Sequence, residues 1–329
     1  MSKNLSNAEY HADERLGRST AWKLVTTCPA VVRHEMLNPR PTDSLALTMG
    51  SCTHTATLEP DLLDKEFAIK PDEIEGKSSR TNHYKEVFES MQSRNPNIQW
   101  LNRSDYRTCV DMAESAREHP LLKTYLSDQE TLIEQTGFFE CKGVACKVRP
   151  DLYNPGAGVV IDLKSTQDAS EQGFRKSIRR FGYAFQASYY LNALRILGLK
   201  PKQFVFLCVE KTPPYLTAAY SISTAEVERE LIRVHDACDT YKKCMDTGIW
   251  PGYGDEIKTL TLGNHATNGL MSISQTAEHF NVSRTWVYRM IKTHQIPTLA
   301  RGKRKMLDMT DFKNAMRWDA EGGRNGKTT

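Results

Sequence analysis

Arg149-Pro150-Asp151-Leu152-Tyr153-Asn154-Pro155-Gly156-Ala157-Gly158-Val159-Val160-Ile161-Asp162-Leu163-Lys164 is the stretch that decides how this chain is read. Turn chemistry is concentrated in Asn154 to Gly158, between two apolar, β-like runs. A hairpin centred there sets Asp151 opposite Asp162, with directly opposed Cβ atoms about 5 Å apart. Two carboxylates that close repel each other unless a cation lies between them. Period-two alternation puts Asp162 and Lys164 on one face and turns Ile161 and Leu163 into the core. Two acids and a lysine on one sheet face suit a hard cation. Mg²⁺ takes one or two carboxylates and keeps several waters, which leaves room for phosphate oxygens. It can activate water and stabilise charge developing on phosphorus. On spacing alone, a surface hairpin with an ordinary Asp–Lys pair is the favoured reading.

Working outward, the pattern predicts strands over Thr131 to Cys141, Val144 to Tyr153 and Val159 to Lys164. One long helix is expected from about Ser170 to Leu197, ending at Gly198. Strands Phe204 to Glu210 and Thr217 to Ile222 follow, then a helix from a Ser223/Glu226 capping box to Gly248. Upstream, the first 125 residues read as helical. Ser19 or Thr20 can cap a helix stopped by Pro29, and Leu45 to Leu58 is a helix rich in small residues. Arg80 to Met91 and Tyr106 to Arg117 carry amphipathic spacing. The order predicts an α/β sheet with a helical N-terminal wrap. Gln186 and Tyr190, four apart, share a helix face, and Gly50-Ser51-Cys52-Thr53-His54 sets a histidine on the small-residue helix.

The chain of 329 residues carries 44 Lys+Arg against 40 Asp+Glu, is 39% hydrophobic, and has room for two or three domains. No apolar run approaches the roughly 18 residues of a membrane span, and the polar start has no secretory h-region. The eight cysteines include no C-x-x-C pair, which argues for reduced thiols and a cytoplasmic setting; a metal or iron–sulfur site on Cys28, Cys238 and Cys244 is the weaker alternative.

Charge is uneven. Leu270 to Trp318 holds nine Lys/Arg against three acids, about +6, while the preceding residues sum to about −2. Such a module points to a polyanion partner. Ile273 to Phe280, a turn at Asn281-Val282-Ser283 and a helix from Arg284 to Lys292 make a helix-turn-helix pattern, whose second helix usually enters the major groove. Arg284, Thr285, Tyr288 and Arg289 are the base-reading candidates. Arg301-Gly302-Lys303-Arg304-Lys305 reads as a basic wing, and Asp311 opens a last short helix. The expected boundaries are a first domain over 1–254, a polar linker over 255–269, the helix-turn-helix module over 270–318 and a frayed tail over 319–329. A module that mediates protein contacts is the alternative for 270–318.

The series His54, Arg-Pro-Asp151, Asp162-x-Lys164 and Gln186-x-x-x-Tyr190 resembles the motifs of RecB-type PD-(D/E)XK nucleases. It is more similar to the exonuclease VIII (RecE) branch, through GSCTHTATLEP at 50–60, CKVRPD at 146–151, DLKSTQDAS at 162–170, VEKTPPY at 209–215 and the closing Trp250-Pro251-Gly252-Tyr253. The likeness spans about residues 8–254. Asp162 stands where Glu is commoner in the broad superfamily, though that branch shares Asp-x-Lys. The resemblance implies a PD-(D/E)XK core, a mixed sheet flanked by helices, and a Mg²⁺-dependent exonuclease (Mn²⁺ as a substitute) degrading double-stranded DNA, typically from the 5′ end. It implies Asp151, Asp162 and His54 as metal ligands and Lys164 as the water-orienting group, with Gln186 and Tyr190 positioning DNA or the metal shell. Iron–sulfur relatives have one early and three late cysteines; Cys28, Cys238 and Cys244 do not match, so no cluster is expected. Such exonucleases work with a single-strand annealing protein in phage-type recombination and form ring-like oligomers. Arg175, Lys176, Arg179 and Arg180 suit phosphate contact or a solvated helix face equally. The basic module resembles the winged helix-turn-helix of excisionases and MerR-type regulators. An endonuclease of the same fold directed by that module, and a non-catalytic DNA-binding regulator, are the competing readings.

Overall fold

The computed structural model describes residues 5–38, 44–257, 270–301, 304–309, 311–312 and 315–316. The chain divides into two compact units, Met1–Gly254 and Asp255–Thr329.

Helices dominate the start of the first unit: α1 Asn7–Ala12, α2 Arg18–Thr26, α3 Pro29–Leu37 and α4 Leu45–Leu58. After a turn at Pro60–Leu62 come α5 Leu63–Glu66, β1 Phe67–Ile69, α6 Asn82–Arg94, β2 Gln99–Leu101, α7 Arg103–Glu118 and α8 Pro120–Leu126. The strands follow: β3 Leu132–Ile133, β4 Gly137–Cys141, β5 Val144–Val148, β6 Leu152–Asn154 and β7 Val159–Thr166. Then come α9 Glu171–Phe181, α10 Tyr183–Ile196, β8 Gln203–Glu210, β9 Thr217–Ser221 and α11 Thr224–Thr247. The main sheet runs β3-β6-β7-β8-β9, with β7 and β8 parallel and the other pairs antiparallel.

The hairpin has the expected register. Leu152 pairs with Ile161 and Asn154 with Val159, which carries Asp151, just before β6, to the position opposite Asp162. Ile161 and Leu163 pack with Leu58, Met112, Ala116 and Leu122 on one side of the sheet. Val160, Phe204 and Phe206 face Phe174, Ala187 and Leu191 on the other. The sheet is therefore a middle layer, and alternation turns Asp162 and Lys164 toward α10.

Four expectations need correction. The α2 N-cap is Gly17, with no side-chain cap, rather than Ser19 or Thr20. The expected strand Thr131–Cys141 breaks at Glu134, whose φ is +50°. The strand Val144–Tyr153 breaks at Arg149-Pro150-Asp151, where proline removes a ladder donor. Each half then joins a different sheet, and β4 and β5 form a separate hairpin packed on Phe185 and Tyr189 of α10. The long helix bends at Gly182, which is left-handed at φ +65°; a Cβ there would lie 2.5 Å from the Trp22 ring.

In the second unit, β10 Leu270–Ser272 precedes α12 Ile273–His279 and α13 Arg284–Thr293, and β11 Thr298–Arg301 with β12 Arg304–Asp308 forms the wing. Ser283 caps α13 at the Trp286 N–H. Val287, Met290, Ile296, Leu307 and Phe312 form the core, and Asp311 lies in helical backbone, though Met309 before it is already helical, so Asp311 does not open it. Of the expected linker, 258–269 lie outside the described residues, as does the tail 319–329.

Candidate active site

Asp162 sits mid-strand on β7 and is 1% exposed, so the simple surface hairpin is excluded. The Gln186 amide of α10 donates to its Oδ1. Its Oδ2 faces Lys164 Nζ at 2.5 Å and has no partner in hydrogen-bond geometry. Burial pushes the Asp162 carboxyl up to about 6, against the pull of Lys164 and with the help of the Asp151 charge. Lys164 is less deeply buried. Burial favours its neutral form, but Asp162 and Asp151 outweigh this and raise it, so the ammonium stays charged.

Asp151 takes a backbone hydrogen bond from Leu163 N–H at 2.7 Å on Oδ2. The same oxygen lies 2.7 Å from His54 Nε2, delivered by α4. Burial raises the Asp151 carboxyl, yet His54, Lys164 and the Leu163 N–H together bring it below its ordinary value. His54 Nδ1 lies 3.1 Å from Glu134 Oε1. Burial disfavours the imidazolium, but Asp151 and Glu134 overcome it and raise His54 well above its usual value. In its protonated form the ring donates one N–H to each of the two carboxylates.

Glu134 is the residue that the sequence reading missed. It directly follows β3, its N–H donates to the Asp151 carbonyl at 3.1 Å, and Arg149 Nε holds its other oxygen at 2.9 Å. The signal was a polar Glu-Gln pair interrupting an apolar run. His54, Glu134 and Asp151 offer ligand atoms all within 4.8 Å of one another, the one such group among the described residues. A nitrogen and hard carboxylates with this spacing fit a divalent cation.

These groups line a cleft of about 1750 Å³ that also takes in Lys164, Gln186, Tyr190 and Arg149. Asp162 lies behind the lining. Tyr190 packs edge-on to Phe204, and burial raises its hydroxyl well above the ordinary range, which keeps it a neutral phenol. Arg18 also lines the cleft. Its Nη2 donates to the carbonyls of Phe181 and Gly182 at 2.6 and 2.8 Å.

Arg175, Lys176, Arg179 and Arg180 are exposed on α9 and do not line the cleft; Arg175 pairs with Glu171. Arg284, Thr285, Tyr288 and Arg289 are all exposed on α13, and Lys305 is exposed on the wing. Lys303 and the side chains of Arg301 and Arg304 lie outside the described residues. All eight cysteines are free and buried. Among the described residues no helix is long and apolar enough to cross a membrane.

A family model for a PDDEXK-like domain of unknown function (DUF3799) matches residues 19–262. The chain belongs to this PDDEXK-like family. Residues 270–317 match a helix-turn-helix domain. Among solved structures, this PDDEXK-like chain is similar to a Eubacterium rectale protein assigned as an exonuclease. The identity is 16% and the TM-score 0.55, over 80% of this chain and 97% of that one. It is also similar to a phage-related exonuclease of Haemophilus somnus at 12% identity and TM-score 0.30, over 60% and 95% of the two chains. No curated protein matches the chain in sequence. The two family matches give a PDDEXK-like α/β core followed by a helix-turn-helix domain, and the first structural likeness agrees with the fold of the core.

Proposed function

We propose that the PDDEXK-like unit is a Mg²⁺-dependent exonuclease of double-stranded DNA, with Mn²⁺ as a substitute, working 5′ to 3′. The observation that carries this reading is the convergence of His54, Asp151, Lys164 and Gln186, from α4, the hairpin and α10, on one cleft, with Asp162 held just behind its lining by Gln186 and Lys164. His54, Asp151 and Asp162 would hold the cation, with Glu134 as a further acid in the same group. When bound, the cation supplies an activated water and stabilises charge on phosphorus. Lys164, kept charged by two carboxylates, orients the attacking water and offsets negative charge at the phosphate. Gln186 fixes the Asp162 carboxylate so that one oxygen stays directed at Lys164 and the cation. Tyr190, as a neutral phenol, positions the DNA at the cleft wall.

In this reading the helix-turn-helix unit docks the enzyme on duplex through the exposed face of α13 and the basic wing, and the boundaries 1–254, 255–269, 270–318 and 319–329 separate chemistry from docking. A cytoplasmic role in recombination beside a single-strand annealing protein, in a homo-oligomer, completes the proposal. The test is digestion of end-labelled linear duplex with Mg²⁺, alongside covalently closed circles, by wild type and Asp162→Ala. Exonuclease action requires loss of the end label from linear DNA, intact circles and an inert variant. Cleavage of circles would favour an endonuclease directed by the second unit. No cleavage by wild type would leave a DNA-binding protein.

A further inference from the structure

The segment from Leu16 to Trp22 grips the α9–α10 bend at several points. Leu16 N–H bonds to Ala145 O at 3.0 Å and Lys147 N–H to Leu16 O at 3.0 Å, anchoring the segment on β5. The Tyr189 hydroxyl of α10 donates to the same Leu16 carbonyl at 2.7 Å. Trp22 packs against Phe185 with ring centroids 5.3 Å apart and planes tilted by 54°, and fills the space that only glycine leaves open at position 182. Arg18 then closes on the bend itself, one nitrogen serving the carbonyls of both Phe181 and Gly182. Phe181 ends α9, where carbonyls lack intrahelical partners and a cation is favourable. The Gly182 carbonyl also accepts from Gln186 N–H at 3.0 Å. One oxygen therefore joins the clamp to the residue that holds Asp162. Arg18 Nε is buried without a partner, so the two carbonyls, not saturation of its donors, set the orientation of the guanidinium.

We propose that Arg18 is a positioning residue of this site: clamped on Phe181 and Gly182, it sets the bend that brings the Gln186 amide onto Asp162. The inference rests on the nuclease reading for its kinetic arm alone. A shift of the α10 start by a fraction of an ångström moves Gln186 off Asp162, frees the carboxylate to rotate and spoils the geometry at the phosphate. An electrostatic DNA contact would behave differently, changing affinity and its salt dependence instead of turnover.

The test uses the full chain, labelled with ¹⁵N, with the Gln186 side-chain amide signal assigned by its loss in Gln186→Leu. Arg18→Met should move or broaden that signal, and Arg18→Lys should restore it, because an ammonium still has donors for both carbonyls. In turnover of linear duplex, Arg18→Met should lower kcat by about 10–100-fold with KM little changed, as misplacement near 1 Å does. Adding Arg18→Met to Gln186→Leu should cost under about threefold more, since residues acting through one contact are not additive. An unmoved Gln186 signal, a raised KM at constant kcat, or fully multiplicative losses would each overturn the proposal. Should Arg18→Met fail to fold by circular dichroism, Arg18→Gln, with a donor for one carbonyl, is read the same way. If wild type cleaves nothing, the nuclease reading fails while the amide signal still decides the clamp.

Discussion

Replacing Asp162 by Asn should abolish DNA cleavage while leaving the metal-free protein as stable as wild type, or more so, at pH 8. Burial raises the Asp162 carboxyl from 3.8 to about 6. Two units at about 1.4 kcal/mol each place on the order of 3 kcal/mol against the ionised form in the folded state. The sign follows from linkage. The folded protein holds this proton more tightly than the unfolded chain. The associated stability is fully present below about pH 4 and lost as pH rises through about 6. Asn removes the ionisation. Against that, one Asn donor must meet either Gln186 or Lys164 donor to donor, an unmade bond worth roughly 1–3 kcal/mol. Lys164 is not stranded, because Asp151 still faces it and its Nζ lies 5.2 Å from the Tyr183 ring. The two contributions nearly cancel at pH 8, and at pH 4 only the unfavourable one survives. Urea unfolding in EDTA at the two pH values, for both proteins, reads this directly. A variant several kcal/mol less stable than wild type at pH 8, or one that keeps Mg²⁺-dependent cleavage, would refute the reasoning.

Other outcomes follow from the same geometry. Mg²⁺ or Mn²⁺ half-saturation should worsen as pH falls toward 6, because His54 and Asp162 both hold protons more tightly than usual and the cation must displace them; a flat titration between pH 6 and 8 would remove both from the metal shell. His54→Ala should raise the half-saturating metal concentration more than it lowers thermal stability, and an unchanged titration would leave His54 a packing residue. Glu134→Gln should weaken metal binding by about 10–100-fold, read by calorimetry with Mn²⁺, and equal affinity would make Glu134 only a partner of Arg149. Neutralising Arg301, Lys303, Arg304 and Lys305 should lower the log–log salt slope of duplex binding by about 0.9 for each phosphate no longer neutralised, while leaving cleavage of saturating linear DNA intact.

Local chemistry made the hairpin legible. Asn154-Pro155-Gly156-Ala157-Gly158 marks its turn, and once the turn is placed the register of Asp151 on Asp162 follows by counting. The capped helices of the second unit were legible for the same reason, with Ser283 before Arg284 and apolar Val287 and Met290 at buried spacing. What failed was continuity. Apolar runs across Glu134 and Pro150 look like single strands, but a left-handed residue in one and a proline in the other hand their halves to different sheets. The bend at Gly182 hides in the same way inside a helical pattern. Its cause, the Trp22 ring, lies 160 positions away in sequence. Arg18 and Glu134 reach the site through these breaks, so no spacing rule points to them.

The burial of Asp162 had a signal of its own. Val159-Val160-Ile161-Asp162-Leu163 is nearly continuous in apolar residues, the mark of a strand covered on both faces, and β7 is such a strand, central and parallel to β8. An acid at that position opposes the packing that surrounds it. Removing water from a carboxylate is costly unless a cation and hydrogen bonds replace it. Here Gln186 takes one oxygen, Lys164 faces the other, and the carboxyl is still driven toward its neutral form. Stability alone would favour an apolar or amide side chain there. In the proposed reading a divalent cation beside Oδ2 would supply the missing compensation, since it would favour the charged form of both acids at once. The position that weakens the metal-free fold is one that a bound cation would relieve once the proton held there is displaced, and the excess charge cost at Asp162 is the physical argument for placing the chemistry there rather than at an exposed carboxylate.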